Sequence, residues 1–282
     1  MNIPLVSIGM PVYNGSNTLS RALDSLLQQT FTDFEIIISD NASIDNTEEI
    51  CIKYAANDLR IRYIRQKVNI GAAKNFEYVL NKSTAKYFMW AAADDIRSCN
   101  YLKVNYSFLE DNEYYVASTS PVRFENGDYN PISMGDASLV GDIVDRISSY
   151  FGCWHANGRF YSLMRTAVLK ENPYIKDDYL GSDWAIMLYM ISKGKTNRSE
   201  KGYIILGQHG FSNSGDILKH YQNRWFHYAI PYAELIGSII KIIKGFPILR
   251  KIYIYALIAK LNLITVRLYW NTKIKQFYQN NT

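Results

Sequence analysis

The chain has 282 residues, 48% hydrophobic and 20% charged, enough for one large α/β core with an appendage or two small domains, and this excludes disordered and fibrous proteins. Its net charge of +5 is unevenly placed: from Gly215 onward ten Lys and Arg face only Asp216 and Glu234, giving +8, whereas residues 1–214 carry −3. An anionic surface partner would therefore meet the tail, and no nucleic acid partner is expected.

Residues 5–10 form an apolar run closed by Pro11-Val12-Tyr13-Asn14-Gly15, a strand meeting a turn. Ser16 or Asn17 then caps a helix whose apolar Leu19, Ala22, Leu23, Leu26 and Leu27 follow helical spacing. A second strand over 34–39 ends at Asp40-Asn41, a helix runs from Asp45 or Asn46 to Ala56, and a third strand covers 61–64. Asn69-Ile70-Gly71 turns into a helix carrying Lys74, Asn75, Phe76, Val79 and Leu80. The fourth strand, Tyr87-Phe88-Met89-Trp90, continues through Ala91-Ala92-Ala93 into the paired acids Asp94-Asp95.

Strand alternating with helix four times in under a hundred residues predicts a parallel sheet with helices on its faces. In such sheets ligands bind beyond the carboxyl ends of the strands. Three of these ends carry groups suited to a nucleotide. Tyr13, beside Asn14, offers a ring for base stacking, and Asp40 offers an acceptor for a base or ribose proton. Asp94 and Asp95 offer a seat for a metal-bound diphosphate, because neighbouring carboxylates repel until a hard cation neutralises them. Plainer readings exist for each: a turn with a buried Tyr, a helix-capping Asp40, and a solvated Asp-Asp turn. The first turn has one glycine where a dinucleotide fingerprint needs three, and there is no Walker loop, so a metal and Lys74 would have to neutralise the phosphates.

The segments Val6-Ser7-Ile8-Gly9-Met10-Pro11-Val12-Tyr13-Asn14, Gln29 through Asp40-Asn41-Ala42-Ser43 to Thr47, Asn69-Ile70-Gly71-Ala72-Ala73-Lys74-Asn75 and Ala93-Asp94-Asp95 together resemble the inverting GT-A glycosyltransferases of family 2. The resemblance covers the first hundred residues. It implies a GT-A α/β fold with a mostly parallel central sheet flanked by helices, and a nucleoside diphosphate sugar donor, with UDP-sugars favoured. It also implies Mn2+ or Mg2+ as cofactor and a hydroxyl acceptor on a glycan or glycolipid, in bacterial surface polysaccharide or glycolipid synthesis. Carried over residue by residue, Pro11, Tyr13, Asn14, Asp40, Asn69, Lys74 and Asp94 would bind the nucleotide. The first acid of the family's metal triplet is Ala93 here, which leaves Asp95 as the metal ligand and Asp94 as the ribose contact.

The second half matches less closely. Residues 157–165 resemble the segment that returns a strand beneath the donor sugar, with Trp154, His155 and Asn157 lining its pocket; a core Trp and a surface His are equally good readings of the first two. Gly181-Ser182-Asp183-Trp184 precedes an apolar helix where the family places its catalytic base, so Asp183 is the expected base, against the alternative of a helix N-cap. Gln208-His209-Gly210 resembles a loop that can supply a histidine to the metal, set against a solvated loop histidine. Two rival functions are an inactive nucleotide-sugar scaffold, which the retained acids argue against, and a sugar nucleotidyltransferase, for which the first turn lacks the Gly-rich basic loop.

The expected organisation is a catalytic domain over 1–214, with a nucleotide-binding half at 1–97 and an acceptor half at 98–214, and a basic amphipathic helical tail at 215–282. Pro247 after Gly245 separates two tail helices, and basic residues interrupt every apolar stretch before it reaches a membrane span. The tail is expected to pack on the core, to meet an anionic membrane or to form a homodimer contact. No signal peptide is read at the start. Cys51, Cys99 and Cys153 are odd in number and far apart, which suits reduced thiols. A cytoplasmic place, or a peripheral one at the inner face of the cell membrane, is the expected location.

Overall fold

The computed structural model describes residues 3–125, 127, 130–152, 155–207, 220–221 and 224–279, with side chains described as far as Asn271. Its first half follows the alternation read from sequence: β1 (Val6–Val12), α1 (Leu19–Leu27), β2 (Phe34–Asp40), α2 (Thr47–Asn57), β3 (Ile61–Arg65), α3 (Ala72–Lys82) and β4 (Tyr87–Trp90). Thr18, rather than Ser16 or Asn17, occupies the N-cap position of α1. β1, β2 and β4 are buried along their whole length, as near-continuous apolar runs in the middle of a parallel sheet should be. Gly9 is needed inside β1, because a Cβ there would lie 2.6 Å from the Phe88 ring of the neighbouring strand.

The acceptor half adds β5 (Ile96–Arg97), α4 (Tyr101–Asp111), β6 (Tyr115–Thr119), β7 (Val122–Phe124), α5 (Pro131–Met134) and α6 (Ile143–Tyr150). After a 3-10 turn at Gly158–Tyr161 come β8 (Leu163–Arg165), α7 (Thr166–Lys170), α8 (Ser182–Lys193), β9 (Lys195–Arg198) and β10 (Ile204–Leu206). The main sheet runs β3-β2-β1-β4-β8-β6-β9, and a small sheet runs β5-β10-β7. β3, β2, β1 and β4 are mutually parallel, β8 is antiparallel to both its neighbours, and β9 is parallel to β6. The expected mostly parallel sheet is therefore present, interrupted by one reversed strand.

Helices cover both faces. Leu19, Leu23 and Leu26 of α1 pack with Ile36 and Ile38 of β2 in one core, and Val79 of α3 packs with Trp184 to Ile191 of α8 in the other. The tail forms a 3-10 turn at Trp225–Tyr228, then α9 (Ala233–Ile242) and α10 (Ile248–Gln279), which Pro247 separates as expected. Leu235, Ile239, Ile254, Ile258 and Leu261 belong to the same core as α8, and the Tyr174 and Tyr179 hydroxyls bond Ser238 of α9. One expectation is corrected: α10 has 32 residues, and Ile248–Asn271 is long and apolar enough to cross a membrane by length and composition. Its inner face nevertheless packs on protein, with Asn262 and Thr265 buried beside the apolar side chains.

Candidate active site

At the carboxyl ends of β1 and β2 the two turns lace together. Asn14 donates its N–H to Ser43 Oγ and accepts at Oδ1 from Ile44 N, while Gly15 N donates to Thr47 Oγ1 and Ser16 N to Asp45 Oδ2. Burial opposes ionisation of Asp45, but hydrogen bonds from Thr47 and Ser16 outweigh it and bring the pKa down to about 2. This lacing leaves Tyr13 standing out from the strand end, half exposed. Pro11 lies buried within β1, opposite Ser39 of β2.

Asp40 is fully buried and held by three donors. Oδ2 accepts from Arg65 Nη1 at 2.7 Å and Tyr63 OH at 3.0 Å, and Oδ1 accepts from Ser43 N at 2.9 Å. Whatever else it does, this carboxylate locks β2 to β3. Asn69 braces the next loop, accepting from Asn41 Nδ2 and Gly71 N, and buried Asn75 donates to the Ser39 carbonyl. Lys74 is exposed in the first turn of α3 and has no carboxylate partner among the described residues.

The two acids after β4 differ sharply. Asp94 is half-buried and packs against Gly207, where an added Cβ would fall 2.0 Å from the Asp94 carboxyl carbon. Asp95, expected as the rim ligand with no core contact, is instead 2% exposed. Its Oδ1 accepts from Gly207 N at 3.2 Å and its Oδ2 lies 3.7 Å from Arg97 Nη2, an ion pair too long for a hydrogen bond. The reason is the turn itself: the strand ends at Trp90, and Asp95 folds back toward β5 while Asp94 stays at the edge. Burial pushes the Asp95 pKa up to about 6, with Arg97 and the Gly207 N–H opposing and the Asp94 charge reinforcing.

These acids suit a hard cation of the Mg or Mn type, which takes one or two carboxylates and completes its shell with substrate phosphates. The supporting observation is Asp95 Oδ2, buried without a hydrogen-bond partner among the described residues. No cluster of three ligating side chains occurs among the described residues. His209, expected as a further ligand, and Trp154, expected at the sugar pocket, lie outside the described residues.

Asp183 occupies the first turn of α8, where Gly181 in a left-handed conformation is the N-cap. The alternative reading of Asp183 as an N-cap is thereby corrected: its Oδ2 accepts instead from Asn157 Nδ2 at 2.8 Å. Burial raises its pKa, opposed by that amide and by the backbone N–H of Trp184 and of Asp183 itself. His155, expected to line the sugar pocket or lie at the surface, is 4% exposed and has both ring nitrogens occupied. Nε2 pairs with the Tyr150 carbonyl and Nδ1 with Asn157 N, which makes the Nε2–H tautomer the one present. The ring stacks on Trp184 at 4.3 Å, and burial and the Arg159 charge lower its pKa to about 3. Asn157, also expected at the pocket, is 1% exposed and lies behind Asp183.

One short segment joins the two groups of acids. Asn157 holds Asp183 at one end, and three residues on Phe160 stacks on Trp90, the last residue of β4, at 4.6 Å with rings nearly parallel. The phenol of Tyr161, next in the chain, is pushed up by burial and feels Asp95, Asp94 and Asp183 together. Sequence reading missed Arg97, Gly207 and Tyr150. An arginine two residues after an acid pair was the local signal for the first.

A mostly parallel sheet with acids at the β4 edge and a further carboxylate at the start of α8 defines the GT-A architecture. The chain belongs to the family described as glycosyl transferase family 2, which matches residues 7–171. Over 140 residues it is 30% identical to the UDP-Glc:alpha-D-GlcNAc-diphosphoundecaprenol beta-1,3-glucosyltransferase WfgD of Escherichia coli, covering 50% of this chain and 51% of that protein. It is 28% identical over 126 residues to the glycosyltransferase GlyG of Streptococcus pneumoniae serotype 4, covering 45% and 42%. The chain thus spans about half the length of these curated relatives. The fold resembles S. aureus TarS 1-349 in complex with UDP-GlcNAc, with TM-score 0.59, 16% identity and coverage of 89% and 79%. Similar too is the mannosyltransferase PcManGT from Pyrobaculum calidifontis in complex with GDP-Man and Mn2+, with TM-score 0.59, 14% identity and coverage of 95% and 76%.

Proposed function

We propose that the protein is an inverting glycosyltransferase that moves a sugar from a nucleoside diphosphate donor to a hydroxyl acceptor, with Asp183 as general base. The observation that carries this reading is the 157–161 segment, which ties Asp183 to the strand that presents Asp94 and Asp95. The acceptor oxygen attacks the anomeric carbon, its proton passes to Asp183, and the bond to the diphosphate breaks on the opposite side. Tyr13 stacks on the base and Lys74 faces the charge that develops on the leaving diphosphate. Asp94 at the rim and Asp95 behind it would hold a divalent cation, with His209 a further candidate ligand. Such an ion supplies charge neutralisation to the leaving group. Asp40, expected as the base acceptor, is enclosed with both oxygens engaged, and in this reading it serves as the lock between β2 and β3 beneath the base site.

A uridine donor and a role in bacterial surface glycan or glycolipid synthesis are proposed by analogy with the relatives' names. The outward side of α10 exposes Leu249, Ile252, Leu263 and Trp270 beside Lys260 and Arg267, which favours an anionic membrane over a second copy as the tail's partner. Co-sedimentation with phosphatidylglycerol vesicles at low salt, set against the mass in solution, separates these two.

The base assignment is tested by Asp183→Asn. The change keeps size and can still meet Asn157, but it removes the proton acceptor. Transfer should fall by roughly a hundredfold to ten-thousandfold while nucleotide binding persists. Equal rates would remove Asp183 from the mechanism and turn attention to Asp177 and Asp178.

A further inference from the structure

Behind Asp183 lies a set of buried polar contacts that a glycosyl-transfer reading does not require. Asn157 takes a left-handed backbone conformation with φ 54°, uncommon outside glycine, and this turns its amide inward. The amide then faces two ways. Nδ2 donates to Asp183 at 2.8 Å, and Oδ1 accepts from the Tyr150 hydroxyl at 2.9 Å. An ionised carboxylate can only accept, so it takes the NH2 end of the amide, and the Tyr150 hydroxyl then donates to the oxygen that is left. The backbone is pinned as well, because Asn157 N donates to His155 Nδ1 and the His155 ring is clamped flat on Trp184, the residue after Asp183.

We propose that Asn157 is a positioning residue for Asp183, with Tyr150 as its orienting partner: the pair holds the carboxylate ionised and aimed. The proposal rests on the reading of Asp183 as the base, and it adds to that reading the means by which a carboxylate in this setting stays able to accept a proton. An amide N–H can only donate, so it favours the charged carboxylate over the protonated acid. No permanent cation pairs with Asp183 among the described residues, so the amide is the principal side-chain group that opposes burial.

The surrounding titratable groups leave this role to the amide. Tyr150 on α6, Tyr161 in the 3-10 turn, Tyr221 and Tyr232 all feel the Asp183 charge, and burial pushes each phenol above its ordinary range, so all four stay protonated near neutral pH. His155 stays neutral through burial and the nearby Arg159 charge. Arg159 itself is turned to the Ala137 carbonyl through Nε and Nη2. Asp94 and Asp95 share Tyr161 as a neighbour with Asp183, and their charge adds no help to its ionisation.

The test is a direct titration of the Asp183 carboxyl by 13C NMR in the full chain, with the signal assigned by its loss in Asp183→Asn. Two variants are compared with the wild type. Asn157→Gly removes the amide and keeps the left-handed backbone without strain, and Tyr150→Phe removes only the hydroxyl that orients the amide. The Asp183 midpoint is expected to rise in both, by half a pH unit or more in Asn157→Gly and by less in Tyr150→Phe. A midpoint that stays put or falls in folded Tyr150→Phe and Asn157→Gly overturns the proposal. If Asn157→Gly does not fold, Tyr150→Phe decides alone, since it leaves the backbone untouched. A silent Asp183→Asn in the transfer assay would sink the base reading without altering these midpoints, so the two failures are told apart.

Discussion

Asp95 in the donor half and Asp183 in the acceptor half are both pushed toward protonation by burial, yet they keep different company. Asp95 faces the guanidinium of Arg97, itself fully enclosed, with a cation–π contact to Tyr101 at 5.5 Å. Asp183 faces an amide, backbone N–H groups and phenols, all neutral. At Asp95 a permanent cation opposes the rise that burial causes, whereas at Asp183 only neutral donors oppose it. The difference teaches that one chain can counter the same burial in two ways, with a permanent cation at one acid and with neutral donors at the other.

Removing the cation is the severest way to break that contrast. Arg97→Met leaves Asp95 buried without its counter-charge and should cost about 3–5 kcal/mol of stability, read from urea unfolding. A loss below about 1 kcal/mol would mean that Asp95 simply takes up a proton, and the two acids would then be alike.

Gly207→Ala probes the contact that fixes both donor-side acids. The added methyl would fall 2.0 Å from the Asp94 carboxyl, so the turn must shift, at a cost of about 1–3 kcal/mol. Gly237→Ala in α9 is the control, since nothing beyond its chain neighbours and its own helix backbone lies within 4 Å of its Cβ position, and it should be neutral or slightly stabilising. Equal effects at the two positions would show that Gly207 does not clamp the acids.

The mildest probe is pH. His155 has its folded pKa at about 3, below the ordinary 6.5, so its contribution to stability is present above 6.5 and is lost as pH falls toward 3. Asp45, with a folded pKa of about 2 against 3.8, contributes above 3.8 and loses that contribution only as pH falls toward 2. Of the two contributions, that of His155 should therefore be lost first on acidification. The carboxyls of Asp95 and Asp136, both raised by burial to about 6, gain stability over the same range, so His155 is read as a difference. From pH 7.5 to 5.5 the wild type should lose about 1 kcal/mol relative to His155→Gln, which keeps a donor near the Nε2 position. A stability difference between wild type and His155→Gln that stays constant from pH 7.5 to 4.5 would contradict a buried neutral histidine.

The donor half was legible because its parts are local. Strand, turn and helix follow each other within a few residues, and the groups at the strand ends, Tyr13, Asp40 and Asp94, are named by position alone. Which acid sits at the rim was not legible, since it depends on how the turn after Trp90 folds against Arg97 and Gly207, the latter more than a hundred residues away in sequence. Asn157 and His155 were read as lining a pocket, and the structure buries both. Their burial comes from Tyr150 and Trp184 on separate helices, and no periodicity around residues 155–157 announces it. The tail's helices were readable from spacing, but their shared core with α8 was not, because apolar stripes do not say what they meet.

The order of strands also limits which edges can pair first during synthesis. β3, β2, β1 and β4 have all their mutual partners within the first ninety residues, so this half-sheet can pair while the remainder is still being synthesised. β6 cannot: its two neighbours, β8 and β9, both lie downstream of it. Until Leu163–Arg165 emerges, β4 and β6 each present an open edge, and one three-residue strand then closes both at once. The same insertion brings in the segment that carries Asn157 and Phe160, and Asp183, further downstream on α8, can meet Asn157 only once that helix has followed.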